Sequence, residues 1–181
     1  MAPYSRKRVS EFFQKSNEAS TMLEKGQALE NLICYVFQKV PGVIVTRRNE
    51  MNAFGTEEID VAFWNEKHPG GFYFLPHIII AECKNWSKPV GSQEVGYFNQ
   101  RLQNRGLDYG ILIAANGITG SGPELKRAHY EITMALSRGL HIIILTIEEI
   151  QALSTTRDLV RLLKEKLCEL AVSGTIKRAS R

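Results

Sequence analysis

An apolar stripe at helical spacing occupies the first quarter of the chain. Its members are Leu29, Ile33, Val36, Phe37 and Val40. Apolar residues recurring every three to four positions line one side of a helix, so this stripe predicts a helix over residues 10–39. Pro41 and Gly42 follow the stripe directly, and this pair ends the predicted helix.

Shorter apolar or alternating runs follow the helix and predict strands. These runs cover residues 43–48, 57–65, 77–83, 109–115 and 140–146. Further helical patterns cover residues 92–104, 123–138 and 156–172, with Ser92 as the expected N-cap of the first. The turn-rich segment 68–76 is expected to hold a short hairpin. The order α, β-β-β, α, β, α, β, α predicts an α/β three-layer sandwich, with a central mixed sheet flanked by helices.

The most apolar of these strands ends in charges. Residues 78–86 read IIIAECKNW, so Glu82 and Lys84 directly follow a hydrophobic run. Buried charges are unfavourable unless they are paired or bound to a metal. Alternation along a strand places Ile78, Ile80, Glu82 and Lys84 on one face, and places Ile59, Val61 and Phe63 together on one face of the preceding strand.

Asp60 lies on that preceding strand and can stand beside Glu82 if the two strands pair. Two carboxylates about 4 Å apart repel by roughly 4 kcal/mol at an effective dielectric constant near 20. Either one carboxylate stays protonated or a cation lies between them. Lys84 offsets part of the charge, and a hard divalent ion such as Mg²⁺ offsets more. The backbone carbonyl of Cys83 is a further oxygen ligand for such an ion.

Three short segments together resemble the PD-(D/E)xK, or restriction-endonuclease-like, nuclease superfamily. They are EID at 58–60, ECK at 82–84 and the helix start SQEV at 92–95. The sequence AECKNW is similar to the Mrr-like branch and to archaeal Holliday-junction resolvases. Ile59 stands where the motif has proline, and the Mrr-type G-x-G-x-D sequence is absent.

The resemblance covers residues 22–146 and implies an endonuclease that hydrolyses DNA with Mg²⁺, for which Mn²⁺ can substitute. It implies that Asp60 and Glu82 bind the metal and that Lys84 is catalytic. It also implies catalytic roles for Glu30, on the first helix, and for Gln93.

We expect basic residues to make the contacts with DNA. The formal net charge is +4 and the sequence pI is near 9.0, a modest excess. Arg47, Arg48 and Lys88 are the expected substrate-binding residues, because cationic side chains attract phosphate backbones.

Several classes of protein are disfavoured. The three widely spaced cysteines do not suggest a disulfide framework or a CxxC metal site, so a cytoplasmic location is expected. No membrane span is expected, since no long apolar run occurs. The segment 116–123 lacks the phosphate-loop pattern, so no nucleotide cofactor is expected. One nuclease domain is expected over residues 1–181, with a closing helix at 156–172 and a disordered basic tail at 174–181.

The expected function is restriction or defence against foreign or modified DNA. Two alternatives remain open: a structure-specific repair or recombination nuclease of the resolvase type, and a catalytically silent nucleic-acid-binding module. The complete set of Asp60, Glu82 and Lys84 argues against a silent module, because a lapsed site has no physical reason to keep so costly a cluster. Cutting both strands needs two sites, so a homodimer or a recognition partner protein is expected.

Overall fold

The computed structural model describes residues 2–118 and 122–175, and it begins with two helices. Helix α1 spans Arg6–Glu18 and α2 spans Met22–Gln38. The break arises at Thr21, whose hydroxyl accepts a hydrogen bond from the Glu24 N–H at 3.2 Å while the Glu24 carboxylate accepts one from the Thr21 N–H at 3.0 Å. This capping box starts a new helix. The prediction of one continuous helix over 10–39 is therefore wrong.

Five strands form one mixed sheet, which confirms the predicted fold class. They are β1 (Val43–Met51), β2 (Glu58–Asn65), β3 (Ile78–Lys84), β4 (Tyr109–Ala114) and β5 (His141–Leu145). The strands lie in chain order across the sheet. The β1–β2 and β2–β3 pairs are antiparallel, while β3–β4 and β4–β5 are parallel.

Four helices complete the described elements. They are α3 (Ser92–Asn104), α4 (Gly122–Ser137), α5 (Ile147–Ala152) and α6 (Thr156–Ser173). The short α5 was not predicted, and a second capping box between Thr146 and Glu149 starts it. The N-cap of α3 is Gly91 rather than the predicted Ser92. None of the helices in the described ranges is both long and apolar enough to cross a bilayer.

The segment between β2 and β3 consists of turns and holds no hairpin, contrary to the prediction. The fully buried Asn65 organises it, because its side-chain amide donates to the carbonyls of Phe72 at 2.8 Å and Pro76 at 3.0 Å. Of the expected basic tail, Gly174 ends α6 in a left-handed conformation, and residues 176–181 lie outside the described ranges.

Two hydrophobic clusters lie on opposite faces of the sheet and create the three layers. The first joins α2 and the start of α6 to one face, and it contains the stacked pair of Phe37 and Phe63. The second joins α3 and α4 to the other face, and α3 contributes Phe98 and Leu102 to it. Helix α3 lies very close to β4, because a Cβ atom at Gly110 would come within 2.6 Å of the Phe98 ring. This contact sets the height of α3 above the sheet.

Candidate active site

Strands β2 and β3 stop pairing where the predicted carboxylates stand. Val61 and Ala81 form the last backbone pair, and Asp60 and Glu82 are the next residues in that register. There the Asp60 side chain intervenes, since its Oδ2 accepts a 2.6 Å hydrogen bond from the Cys83 N–H. The strands therefore lose their ladder at Asp60, and the carboxylate takes a backbone donor that a neighbouring strand would normally satisfy.

The alternation predicted for β2 also ends at this point. Val61 and Phe63 pack in the cluster beneath α2, as one face requires. Ile59 packs instead in the cluster beneath α3 and α4. The prediction that Ile59, Val61 and Phe63 share one face is therefore wrong at Ile59.

Glu82 is the most deeply buried of the candidate residues, with only 2% of its surface exposed. Its Oε1 accepts from Lys84 Nζ at 2.7 Å and from Arg101 Nη1 at 2.6 Å. Its Oε2 is also buried but has no hydrogen-bond partner within the described residues. An unsatisfied buried carboxylate oxygen is costly, so a ligand for this atom would stabilise the site.

Electrostatics at Asp60 reflect this crowding. Burial, with the Glu82 carboxylate as the second cause, raises the pKa of Asp60 from 3.8 to about 7. The Cys83 N–H and the Lys84 ammonium oppose this rise of the pKa only in part. Burial likewise raises the pKa of the Cys83 thiol well above its ordinary value, so this thiol stays protonated and inert at neutral pH.

The backbone N–H and carbonyl of Cys83 point towards β2, the strand that carries Asp60. The Lys84 carbonyl accepts from the Ala115 N–H at 3.0 Å, which directs the Lys84 backbone towards the β4 side. Backbone groups of successive strand residues alternate between the two neighbours, so the Cys83 N–H and carbonyl point to the β2 side. The bond from the Cys83 N–H to Asp60 agrees with this direction.

Glu30 belongs to the electrostatic surroundings of the pair. It is buried in α2, and its charge contributes to the raised pKa of Asp60. Its Oε2 accepts from Arg48 Nη2 at 3.3 Å. Arg48, one of the expected DNA-binding residues, is therefore directed towards Glu30 and keeps 37% of its side chain exposed.

Other predicted residues lie farther out. Gln93 is exposed and donates to the Tyr97 hydroxyl at 2.7 Å. Gln93, Tyr97 and Arg101 recur every four residues and so follow one side of α3, with Arg101 reaching Glu82. Arg47 is exposed and donates to the Thr46 carbonyl, and Lys88 is exposed in the segment between β3 and α3.

Arg101 is the site residue that the sequence reasoning missed. It lies beside Leu102, which belongs to the apolar stripe of α3, and nothing local distinguishes it from a solvated helix cation. The available signal was a deficit of charge, because Lys84 alone does not neutralise two facing carboxylates. That deficit predicts a second cation from a packed element without saying which residue carries it.

The oxygen atoms at this site fit a hard divalent cation. Over the described ranges, no group of three or more His, Cys, Asp and Glu side chains surrounds a common position. Mg²⁺ does not require such a group, since it commonly binds one or two carboxylates and keeps water and phosphate as its other ligands. Asp60, the free Oε2 of Glu82 and the Cys83 carbonyl would form a donor set of this kind.

Comparison with known proteins identifies one matching family. The family model described as Restriction endonuclease (Mrr_cat) matches residues 24–151. No curated protein matches the sequence. Solved structures with similarity include SfsA from Pyrococcus furiosus in complex with Ca²⁺, at 15% identity and a TM-score of 0.39. That match covers 67% of this chain and 56% of SfsA, and a similarity at this level has no bearing on activity.

The family match takes in α2 from residue 24 onwards, all five strands and the helices between the strands. It includes Glu30, Asp60, Glu82 and Lys84, the residues on which the sequence resemblance depended. The chain belongs to the Mrr_cat restriction endonuclease family.

Proposed function

We propose that this protein is a DNA endonuclease that uses Mg²⁺, or Mn²⁺ in its place, to hydrolyse phosphodiester bonds. The observation that carries the proposal is the buried Oε2 of Glu82, which has no hydrogen-bond partner among residues 2–118 and 122–175 and lies next to the protonatable Asp60. Two carboxylates and the Cys83 carbonyl would hold the metal. A hard divalent ion bound there lowers the pKa of a coordinated water and polarises a phosphoryl oxygen.

Lys84 has the geometry for a direct role in hydrolysis. The reaction adds one water to phosphorus and breaks one P–O ester bond, which leaves a phosphate monoester and a hydroxyl. The Lys84 ammonium is 2.7 Å from Glu82 Oε1 and keeps 24% of its side chain exposed. It can therefore donate to the attacking water or to a phosphate oxygen, and its charge favours the negative charge that develops there.

The other predicted residues take supporting roles in the proposal. Glu30 and Gln93 would orient water or substrate at the edge of the site. Arg47, Arg48 and Lys88 would bind DNA phosphates, which need cationic donors at accessible positions. We infer one nuclease domain, because both hydrophobic clusters pack on the same sheet.

The proposed biological setting is restriction or defence in the cytoplasm, where the three free thiols would remain reduced. One domain carries one candidate site, and two DNA strands need two. We therefore infer that a homodimer or a partner protein is needed for double-strand cleavage.

Incubation of supercoiled plasmid with Mg²⁺, Mn²⁺ or EDTA tests this function. Cleavage is expected with either metal and not with EDTA, and nicked product distinguishes single-strand from double-strand cutting. Lys84→Met should abolish cleavage. The matched control Lys164→Met, on the exposed side of α6, should leave it unchanged. DNA binding without cleavage under every metal would instead establish a silent binding module.

A panel of substrates then separates the two nuclease roles. Duplex, single-stranded, branched and methylated DNA are compared at one concentration with Mg²⁺. Preference for methylated over unmodified duplex supports the defence role. Preference for branched DNA supports a resolvase-type role and contradicts the proposed setting.

A further inference from the structure

The tip of the β1–β2 hairpin, residues 50–58, presents a phenylalanine to solvent. Phe54 is 87% exposed, and the neighbouring apolar residue Met51 is 49% exposed. The pairing of β2 with β3 ends at Val61, whereas its pairing with β1 continues to Glu58. Residues 50–58 therefore form the tip of a two-stranded ribbon that extends past the end of the β2–β3 ladder, and we call them the ribbon tip.

Hydrogen bonds hold the ribbon tip in one shape. The Gly55 N–H donates to the Asn52 carbonyl at 3.0 Å, and the Thr56 N–H donates to Oδ1 of Asn52 at 2.9 Å. The Glu57 carboxylate accepts from the Asn104 side-chain amide of α3 at 2.8 Å, which anchors the tip to the rest of the fold. Ordering a chain segment has a conformational-entropy cost. Aromatic residues and methionine are enriched at protein interfaces, so an ordered segment that exposes both types is suited to contact a protein.

Charge at the ribbon tip distinguishes between possible partners. The tip contains three glutamates and no lysine or arginine. Glu50 and Glu58 are exposed, and Glu57 pairs with Arg105. Carboxylates repel DNA phosphates, so the tip is poorly suited to insert Phe54 into DNA. The tip is instead complementary to a protein surface that combines an apolar groove with a cation.

The chain has such a groove between the start of α1 and the segment that ends α5. Its volume is about 430 Å³, and Arg6 is the one charged side chain among the described residues that line it. The Arg6 side chain is exposed. The apolar part of the lining comes from four residues that belong to the cluster beneath α2 or pack against it: Tyr4, Val9, Phe13 and Leu153. An apolar groove with a cation thus matches the acidic ribbon tip in both hydrophobicity and charge.

The ribbon tip and the groove lie at the same end of the sheet and at opposite edges. Strand β2 is antiparallel to β3, while β4 and β5 are parallel to β3, so the tip lies at the end where β3, β4 and β5 finish. Helix α5 follows β5 directly, at the edge opposite β1. Three to four strand spacings, roughly 14 to 19 Å, separate tip and groove, so Phe54 does not reach the groove of its own chain.

We propose that this protein forms a two-fold symmetric homodimer in which Phe54 of each copy inserts into the groove of the other, with Arg6 facing the acidic ribbon tip. A two-fold axis parallel to the strands exchanges the two edges of the sheet, so each tip meets a groove and the assembly closes at two copies. This dimer does not depend on nuclease activity. Residues 4–13, which form one side of the groove, precede the matched family region 24–151.

Sedimentation velocity of the whole chain, without DNA or metal, tests the dimer over a series of protein concentrations. Wild type should reach twice the chain mass of 20.4 kDa. Phe54→Ala should weaken dimerisation by about a hundredfold or more, because each dimer loses two buried aromatic side chains. Tyr130→Ala is the matched control, since Tyr130 is 60% exposed on α4, away from the tip and the groove, and its loss should change nothing.

Two results would overturn the proposal at this stage. One is a wild-type protein that stays monomeric at every concentration. The other is Phe54→Ala that dimerises as strongly as wild type. If this variant also binds duplex DNA more weakly, the ribbon tip contacts DNA and not a second copy. Thermal melting verifies that each variant is folded.

A mixing experiment then tests the reciprocal arrangement. Ala152 is exposed and lines the groove, so Ala152→Glu adds a carboxylate where the acidic ribbon tip should dock and should weaken dimerisation as Phe54→Ala does. In a mixed pair, the intact tip of the Ala152→Glu copy meets the intact groove of the Phe54→Ala copy. The mixture should therefore form more dimer than either variant alone at the same total concentration. A mixture without this gain would overturn the proposal.

Failure of the dimer and failure of the proposed function give different results. Sedimentation is measured without DNA or metal, so a monomeric wild type rejects this interface and leaves metal-dependent cleavage to be judged by the plasmid assay. A wild-type protein that dimerises through Phe54 but cleaves no DNA with any metal would reject the proposed function and retain the interface.

Discussion

The Cys83 backbone N–H donates a 2.6 Å hydrogen bond to Oδ2 of Asp60 on the neighbouring strand. A side chain thus accepts the bond that a continued ladder would direct to a backbone carbonyl. The strands stop pairing there, and the Asp60 carboxylate is fixed against β3 next to Glu82. The end of the ladder and the candidate metal position are the same feature.

Asp60→Asn should remove a pH-dependent loss of stability. Because the pKa of Asp60 is raised from 3.8 to about 7, the folded state binds more protons than the unfolded state between these values. The Asp60 contribution to stability is fully present below about pH 4 and is lost as pH rises through 7. At pH 7.5 the variant should therefore be more stable by roughly 1 to 4 kcal/mol, at about 1.4 kcal/mol per pKa unit.

Urea unfolding at pH 5 and pH 7.5 measures this difference. Saturating Mg²⁺ provides the control, since it should stabilise the wild type at pH 7.5 and have little effect on Asp60→Asn. If both proteins lose the same stability between the two pH values, the raised pKa of Asp60 is refuted.

Gly110→Ala should destabilise the fold and move α3. An added Cβ would lie 2.6 Å from the Phe98 ring and 2.7 Å from Leu102, and overpacking of this kind costs about 1 to 3 kcal/mol. Gly26→Ala is the matched control. No heavy atom lies within 4 Å of a Cβ at Gly26 in α2, so that change should stabilise the protein by about 0.5–1 kcal/mol. Denaturant midpoints that shift in the same direction for both variants would contradict this interpretation.

Lys166→Met should destabilise the contact between α5 and α6. Lys166 Nζ is 2.5 Å from Glu149 Oε1 and only 8% of its side chain is exposed. Its loss leaves the mostly buried Glu149 carboxylate without a cation, although the Thr146 N–H still donates to it, and we expect a cost of about 2 to 3 kcal/mol. Lys164→Met, which removes a cation–π contact with the exposed Tyr73, should cost less than about 1 kcal/mol. Equal decreases in melting temperature for the two variants would show that the buried ion pair stabilises the protein no more than the exposed contact does.

Arg47 and Arg48 should differ in their effect on DNA binding. Arg47 is exposed and, within the part of the chain that the structure describes, donates only to a backbone carbonyl, so Arg47→Gln should reduce the salt-dependence slope by about 1, the loss of one phosphate contact. Arg48 is partly engaged with Glu30, so Arg48→Gln should change the slope less and reduce stability by about 0.5–1.5 kcal/mol. Fluorescence anisotropy over a series of salt concentrations measures both. A larger change in the salt-dependence slope for Arg48→Gln than for Arg47→Gln would show that Arg48, and not Arg47, makes the main phosphate contact.

The sequence was informative wherever burial decided the structure. The alternation of β2 and the apolar run of β3 fix which faces are buried, and a strand register that buries them brings Asp60 to Glu82. Local signals were less reliable when they were short. The capping box at Thr21 divides a helical pattern, and α5 follows β5 too closely for its six residues to form a separate pattern.

Arg101 could not be predicted because tertiary packing determines its partner. The Arg101 guanidinium reaches Glu82 because α3 packs closely on β4. That close packing depends on the contact between Gly110 and the Phe98 ring. The departure of Ile59 from its predicted face is similar. Ile59 changes face because β2 and β3 stop pairing beside it. The alternation along one strand does not show where two strands stop pairing.

The five strands lie side by side in the order in which a ribosome makes them. Each new strand can therefore join an edge that already exists, and no gap must be kept open for a later segment. Asp60 and Glu82 can meet as soon as β3 has emerged, whereas the Arg101 guanidinium arrives only when α3 docks. A nascent chain paused between these events would hold two facing carboxylates with Lys84 as their neighbouring cation. The chain order thus allows the charges around Glu82 to assemble in two separate stages during translation.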